Sequence, residues 1–114
     1  MITLYGISNC DTIKRTKAWL TAHNLDFQFH DYKKAGCPPD LARQFLQHFT
    51  FQELINRRGS TWRKLPETTK STLNAANAIG LMNEQPSIIK RPLLQTEKGW
   101  ILGFNEAQLM EMST

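Results

Sequence analysis

"ITLYGISNCDTIKRTKAWLTAHNLDFQFHDY", residues 2–32, decides the fold. "ITLYG" is a short β-prone run ended by Gly6. "DTIKRTKAWLTAHN", residues 11–24, predicts a helix ending near Asn24, a residue that tolerates a left-handed cap. Its apolar stripe is modest: Ile13 and Leu20 are one heptad apart, with Ala18, Trp19 and Ala22 beside them. "DFQFHDY", residues 26–32, alternates around Phe27 and Phe29 and predicts a strand. Strand, helix and strand thus follow one another, and a helix crossover of this size suits two parallel neighbours.

Outward from this unit the pattern changes. "KKAGCPPD", residues 33–40, reads as a loop broken by Gly36 and the Pro38-Pro39 pair. Leu41, Phe45, Leu46, Phe49, Phe51, Leu54 and Ile55 then recur at helical spacing up to Gly59, and helical character returns from about Glu67 to Met82. "PSIIKRPLLQTEKGWILGF" turns β-like, with "QTEKG" as a hairpin loop. "NEAQLMEM" closes as a helix capped by Asn105. The order βαβ, helical block, ββα predicts one α/β domain over residues 1–114. Its sheet-bearing parts are about 1–33 and 86–114, and a helical insertion fills about 38–82.

Bulk properties narrow the function classes. The 114 residues are 40% hydrophobic and 21% charged, the composition of a globular chain. No apolar run is long enough to span a membrane, and "MITLYGISNC" is not a secretory signal, so a cytoplasmic location is expected. Two cysteines, Cys10 and Cys37, do not make a disulfide scaffold. With His23, His30 and His48 scattered, no paired metal-ligand spacing exists, and no metal or bound cofactor is expected. The net charge of +4 favours anionic partners. Its basic pairs are dispersed rather than gathered into a tail or recognition helix, which argues against nucleic acid.

Cys10 falls where the first loop meets the first helix. Unpaired N–H groups and the positive end of the helix dipole favour a thiolate there. Lys14 and Arg15, about one turn on, add to this, and Asp11 opposes it. Taken alone, Cys10 reads equally as a nucleophile or as a small buried hydrophobe. Position 13, where a two-cysteine redox motif would carry its second thiol, holds Ile13. A redox role therefore requires an external thiol such as glutathione, or Cys37, to resolve a mixed disulfide. The second motif is "SIIKRPLL", residues 87–94. Pro92 suits a strand start, and Arg91-Pro92 is a candidate cis bond. An arginine beside a thiolate can hold an anion by paired hydrogen bonds. On its own the motif is also what a surface Lys-Arg pair before an edge strand looks like.

Together "LYGISNCDTIKRTKAWL", "INRRGSTWRKL", "IIKRPLL" and "ILGF", in this order and spacing, resemble the arsenate-reductase-like family, which includes ArsC and Spx, and most of all its small YffB-type bacterial branch. The resemblance covers essentially the whole chain. It implies a thioredoxin-like fold with a helical insertion, a catalytic thiol at Cys10, and a substrate-side arginine before a cis-proline at Arg91 and Pro92. Of three arginines that arsenate reductases of the family set around the oxyanion, one maps to Arg91. The second position falls near Asn56, followed by Arg57 and Arg58, and the third falls at Gly103. Ile13 departs from the two-cysteine motif of Spx.

The expected function is a monothiol, glutathione-dependent thiol–disulfide oxidoreductase, with glutathione as co-substrate. Cys10 is the nucleophile and Arg91 the anion holder. Pro92 shapes the groove, Lys14 and Arg58 add positive potential, and Asn9 orients the loop. A protein-docking module of Spx type and an arsenate reductase are the alternatives. Trp62, Trp19 and Trp100 read as packing residues, His23 and His30 as structural or solvated, and Cys37 as a bystander.

Overall fold

Strand β1 (Ile2–Gly6) pairs in parallel with β2 (Phe27–Asp31), Ile2 opposite Phe27 and Gly6 opposite Asp31, in the computed structural model, which describes residues 1–113. Helix α1 (Asp11–Ala22) makes the crossover between them. Later in the chain, β3 (Leu93–Thr96) pairs antiparallel with β1 and β4 (Gly99–Leu102) antiparallel with β3, completing a four-stranded sheet in the order β2-β1-β3-β4. Helix α8 (Glu106–Ser113) follows. This βαβ…ββα arrangement is the thioredoxin-like α/β fold.

The chain divides into two compact units, Met1–Ala35 with Arg91–Thr114, and Gly36–Lys90. In the sheet unit, the period of two along the strands sends Ile2 and Leu4 to one face, where Leu94 and Ile101 join them. Ile13 and Leu20 of α1 and Leu109 of α8 cover that face, and Leu4, Ile13, Leu20, Leu94, Ile101 and Leu109 are fully buried. Each such side chain contributes about 1.5–3 kcal/mol by leaving water. On the other face Tyr5 stacks on Trp100 at 6.2 Å between centroids and meets His30 at 5.1 Å, so Trp100 and His30 are packing residues.

The helical unit contains α3 (Pro39–Leu46), α4 (Phe51–Leu54), α5 (Ser60–Arg63), α6 (Glu67–Ser71) and α7 (Ala75–Glu84). Its core gathers Ala42, Phe45, Leu54, Ile55, Ala78, Met82, Ile88 and Ile89. A bridge between Ile55 and Ile89 is flanked by 2.8 Å bonds from the Asn56 N–H to the Ile88 carbonyl and from the Lys90 N–H to the Leu54 carbonyl.

Local details depart from the sequence reading where capping chemistry intervenes. Helix α1 stops at Ala22, and Asn24 takes the left-handed conformation (φ 56°) just beyond it. Tyr32–Ala35, read as the strand's end and a loop, forms a short helix, α2, that buries Tyr32. The stretch Glu67–Met82 is two helices. Asn74 starts the second by capping the Asn77 N–H at 2.9 Å, and Asn77 returns the bond to the Asn74 N–H at 2.7 Å. Pro86–Ile88 is a 3-10 turn, and β3 begins only at Leu93. Gln95 and Thr96, read as hairpin loop, belong to β3. The reversal is the pair Glu97-Lys98, closed by Thr96 Oγ1, which accepts from the Gly99 N–H at 3.1 Å.

Candidate active site

Cys10 is the N-cap of α1: its backbone is extended (φ −101°, ψ 129°), and its carbonyl already accepts the Lys14 N–H at 3.0 Å. Strand β1 ends four residues earlier, at Gly6. A Cβ on Gly6 would lie 2.8 Å from Ile13 Cγ1 and 3.8 Å from Arg91 Cδ. The end of β1, the first turn of α1 and the aliphatic stem of Arg91 therefore meet where only a hydrogen fits.

As a thiol Cys10 makes no side-chain capping bond. Ionised, it is a strong acceptor at a helix start. Partial burial pushes its pKa up. The Ile13 N–H, the Arg91 side chain and the Thr12 N–H, which favour the ionised sulfur, together with the charge of Arg91, outweigh that and hold the thiol below its ordinary value. The opposite holds for Cys37: burial alone, at 1% exposure, pushes its thiol up to about 12. Both cysteines are free thiols.

The Arg91-Pro92 peptide is cis and Pro92 is buried. The Gly103 N–H donates to the Pro92 carbonyl at 2.8 Å, and Gly103 has φ +93°, a conformation that favours glycine. The loop after β4 is thereby tied to the loop before β3. Asn9 and Lys14 are exposed at the mouth of the helix start. Arg58 lies in the helical unit, where its N–H donates to Asn56 Oδ1 at 3.1 Å and its carbonyl accepts from Arg63 at 2.9 Å. Trp62, in the same unit, has Arg57 at 5.3 Å and Lys70 at 5.8 Å from its ring centroid. Among the described residues no group of His, Cys, Asp and Glu side chains could hold a metal ion.

The N–H groups of Thr12 and Ile13 are the helix-start donors that the position of Cys10 implies. One contact escaped the sequence reading. The bond from Gly103 to Pro92 had one visible sign, the lone glycine in "ILGF".

A cysteine capping a helix, hydrogen-bonded by an arginine whose next residue is a cis-proline, defines a thiol-bearing protein of the thioredoxin-like class. The chain belongs to the ArsC family, whose model matches residues 5–112. The structure of a YffB protein superposes with TM-score 0.95 at 38% identity, covering 100% of both chains. That of an arsenate reductase (ArsC) related protein from Brucella melitensis has TM-score 0.78 at 44% identity, covering 96% of this chain and 92% of that one. The global transcriptional regulator Spx of Streptococcus pyogenes is 29% identical over 112 residues, 96% of this chain and 82% of its own. No helix among the described residues is long and apolar enough to cross a membrane.

Proposed function

We propose that this protein is a monothiol, glutathione-dependent thiol–disulfide oxidoreductase of the cytoplasm, with Cys10 as nucleophile. One observation carries the reading: of two thiols, Cys10 is held below its ordinary pKa by Arg91 and two N–H groups, while Cys37 is buried and pushed up to about 12. The first is the more readily ionised and hence more nucleophilic thiol, and the second is buried and protonated. With Ile13 in place of a neighbouring cysteine, the resolving thiol comes from outside.

The chemistry is two exchanges. The Cys10 thiolate attacks the glutathionyl sulfur of a mixed disulfide. One S–S bond forms, one breaks, and the substrate leaves as a thiolate that takes up a proton. A second glutathione, entering as thiolate, attacks the Cys10-bound sulfur, releasing glutathione disulfide and restoring the Cys10 thiolate. Arg91 supports both steps by stabilising the thiolate as attacker and as leaving group, a charged hydrogen bond worth about 1.5–3 kcal/mol. Pro92 shapes the groove beside the sulfur, Asn9 orients the loop, and Lys14 adds positive potential for an anionic partner.

The test is turnover of the mixed disulfide of glutathione and 2-mercaptoethanol, with glutathione as reductant. Activity is expected in the natural protein and in Cys37→Ala, and none in Cys10→Ser. Activity at the uncatalysed rate in the natural protein, or retained in Cys10→Ser, overturns the reading. The likeness to Spx favours a second reading, protein docking, which a reactive but non-turning-over Cys10 would support. Arsenate is not expected to turn over, because glycine geometry occupies position 103 where the third arginine of arsenate reductases falls.

A further inference from the structure

Helix α1 carries two cations laid on aromatic rings. Lys17 Nζ sits 3.7 Å from the centroid of Phe29, on β2. The Arg15 guanidinium sits 4.6 Å from the centroid of Phe104, in the loop after β4. The first contact lies over the sheet's β2 side. The second falls on the segment that frames the thiol, because Phe104 follows Gly103, whose N–H is fixed to the Pro92 carbonyl at 2.8 Å. Pro92 follows Arg91, which hydrogen-bonds the Cys10 sulfur. From Cys10, α1 leads back to Arg15 in five residues, about 7.5 Å along the axis. Cys10, Arg91-Pro92, Gly103-Phe104 and Arg15 thus form a closed ring of contacts.

Within that ring the two arginines differ. Arg91 is half-buried and engaged with the sulfur. Arg15 is exposed, in no ion pair among the described residues, and held in place by a flat ring. A guanidinium stacked on an aromatic face loses little hydrogen-bonding capacity, since its N–H groups point outward in its own plane. Its freedom is restricted before any partner arrives, which lowers the ordering cost of binding.

We infer that Arg15, seated on Phe104, is an anion subsite that receives a carboxylate of the thiol or disulfide partner while its sulfur meets Cys10. The inference deepens the thiol–disulfide reading and rests on it for the identity of the partner. Arg91 then serves the sulfur and Arg15 the partner's remote charge, so the protein prefers acidic thiols such as glutathione over neutral ones.

The experiment reads charge selectivity at Cys10 without needing turnover. Alkylation rates with anionic iodoacetate and neutral iodoacetamide are compared at one pH. Each forms a thioether at Cys10 and expels iodide. Arg15→Gln should lower the iodoacetate-to-iodoacetamide rate ratio about three- to fivefold, the scale of one unit charge at such a range in a partly screened site, and leave the iodoacetamide rate within about twofold. Lys17→Gln, which removes the same charge from the same helix, should leave the ratio unchanged. Arg15→Lys keeps the charge and guards against a folding failure of the first variant; it should retain most of the ratio. An unchanged ratio in Arg15→Gln, or an equal fall in Lys17→Gln, overturns the subsite. If the ratio falls as expected while the natural protein shows no glutathione turnover, the subsite stands and the oxidoreductase reading fails.

Discussion

Arg91 hydrogen-bonds the sulfur of Cys10 across eighty-one positions of sequence, and beside its stem Gly6 presents a hydrogen where a side chain would run into Ile13 of helix α1.

Cys10 alkylation by iodoacetamide should follow a pH profile whose midpoint lies below about 8.5, the free-cysteine value. The same shift is a stability statement. A group whose folded pKa is depressed adds stability that is fully present above the unfolded pKa and is lost as pH falls through the folded one. The stability advantage of the natural protein over Cys10→Ser should therefore grow as pH rises toward about 8.5. A midpoint at or above that value removes the thiolate argument.

Arg91→Ala should slow Cys10 alkylation at neutral pH and move its midpoint upward. It should weaken glutathione binding by about 1.5–3 kcal/mol, the worth of a hydrogen bond to a charged group. Arg91→Lys should recover the charge effect but not the paired geometry. Earlier melting with unchanged Cys10 reactivity would mark Arg91 as a structural residue only.

Cys37→Ala should keep glutathione turnover and change the alkaline limb of stability. The folded thiol, pushed up to about 12, stays protonated where the unfolded one ionises. Unfolding thus releases a proton above about 8.5, and this group withdraws up to about 1.4 kcal/mol of stability per pH unit between there and about 12. Denaturant midpoints of the two proteins between pH 8 and 10.5 should converge as pH rises. Parallel curves would show that Cys37 ionises in the folded state, and lost turnover would make it the resolving thiol.

Gly6→Ala should destabilise by about 1–3 kcal/mol, the usual cost of overpacking, and reduce Cys10 reactivity by displacing α1. Ile13→Val alone should cost about 0.5–1.5 kcal/mol. Because it removes the methyl nearest the new Cβ, the double variant should be more stable than the sum of the two losses predicts. Additive losses would show that the strain is taken up elsewhere.

The chain by itself determined the architecture and the candidate nucleophile. The β-prone run "ITLYG" and the alternation in "DFQFHDY" around a helical run suffice for a parallel βαβ unit, because each element must bury its apolar side on the next. The place of Cys10 at a helix start, Ile13 in the position of a second thiol, and Pro92 at a strand start could all be read locally. Breaks in the helical middle were harder to see, since they depend on side chains such as Asn74 choosing a cap over a helix interior. Tertiary structure alone decided how each thiol is set: burial pushes Cys37 up, while two N–H groups and Arg91 hold Cys10 below its ordinary value. A pKa reflects burial and the charges and donors within a few ångströms, and no local pattern records that Arg91 arrives at Cys10, that Cys37 lies 1% exposed, or that Arg15 rests on Phe104.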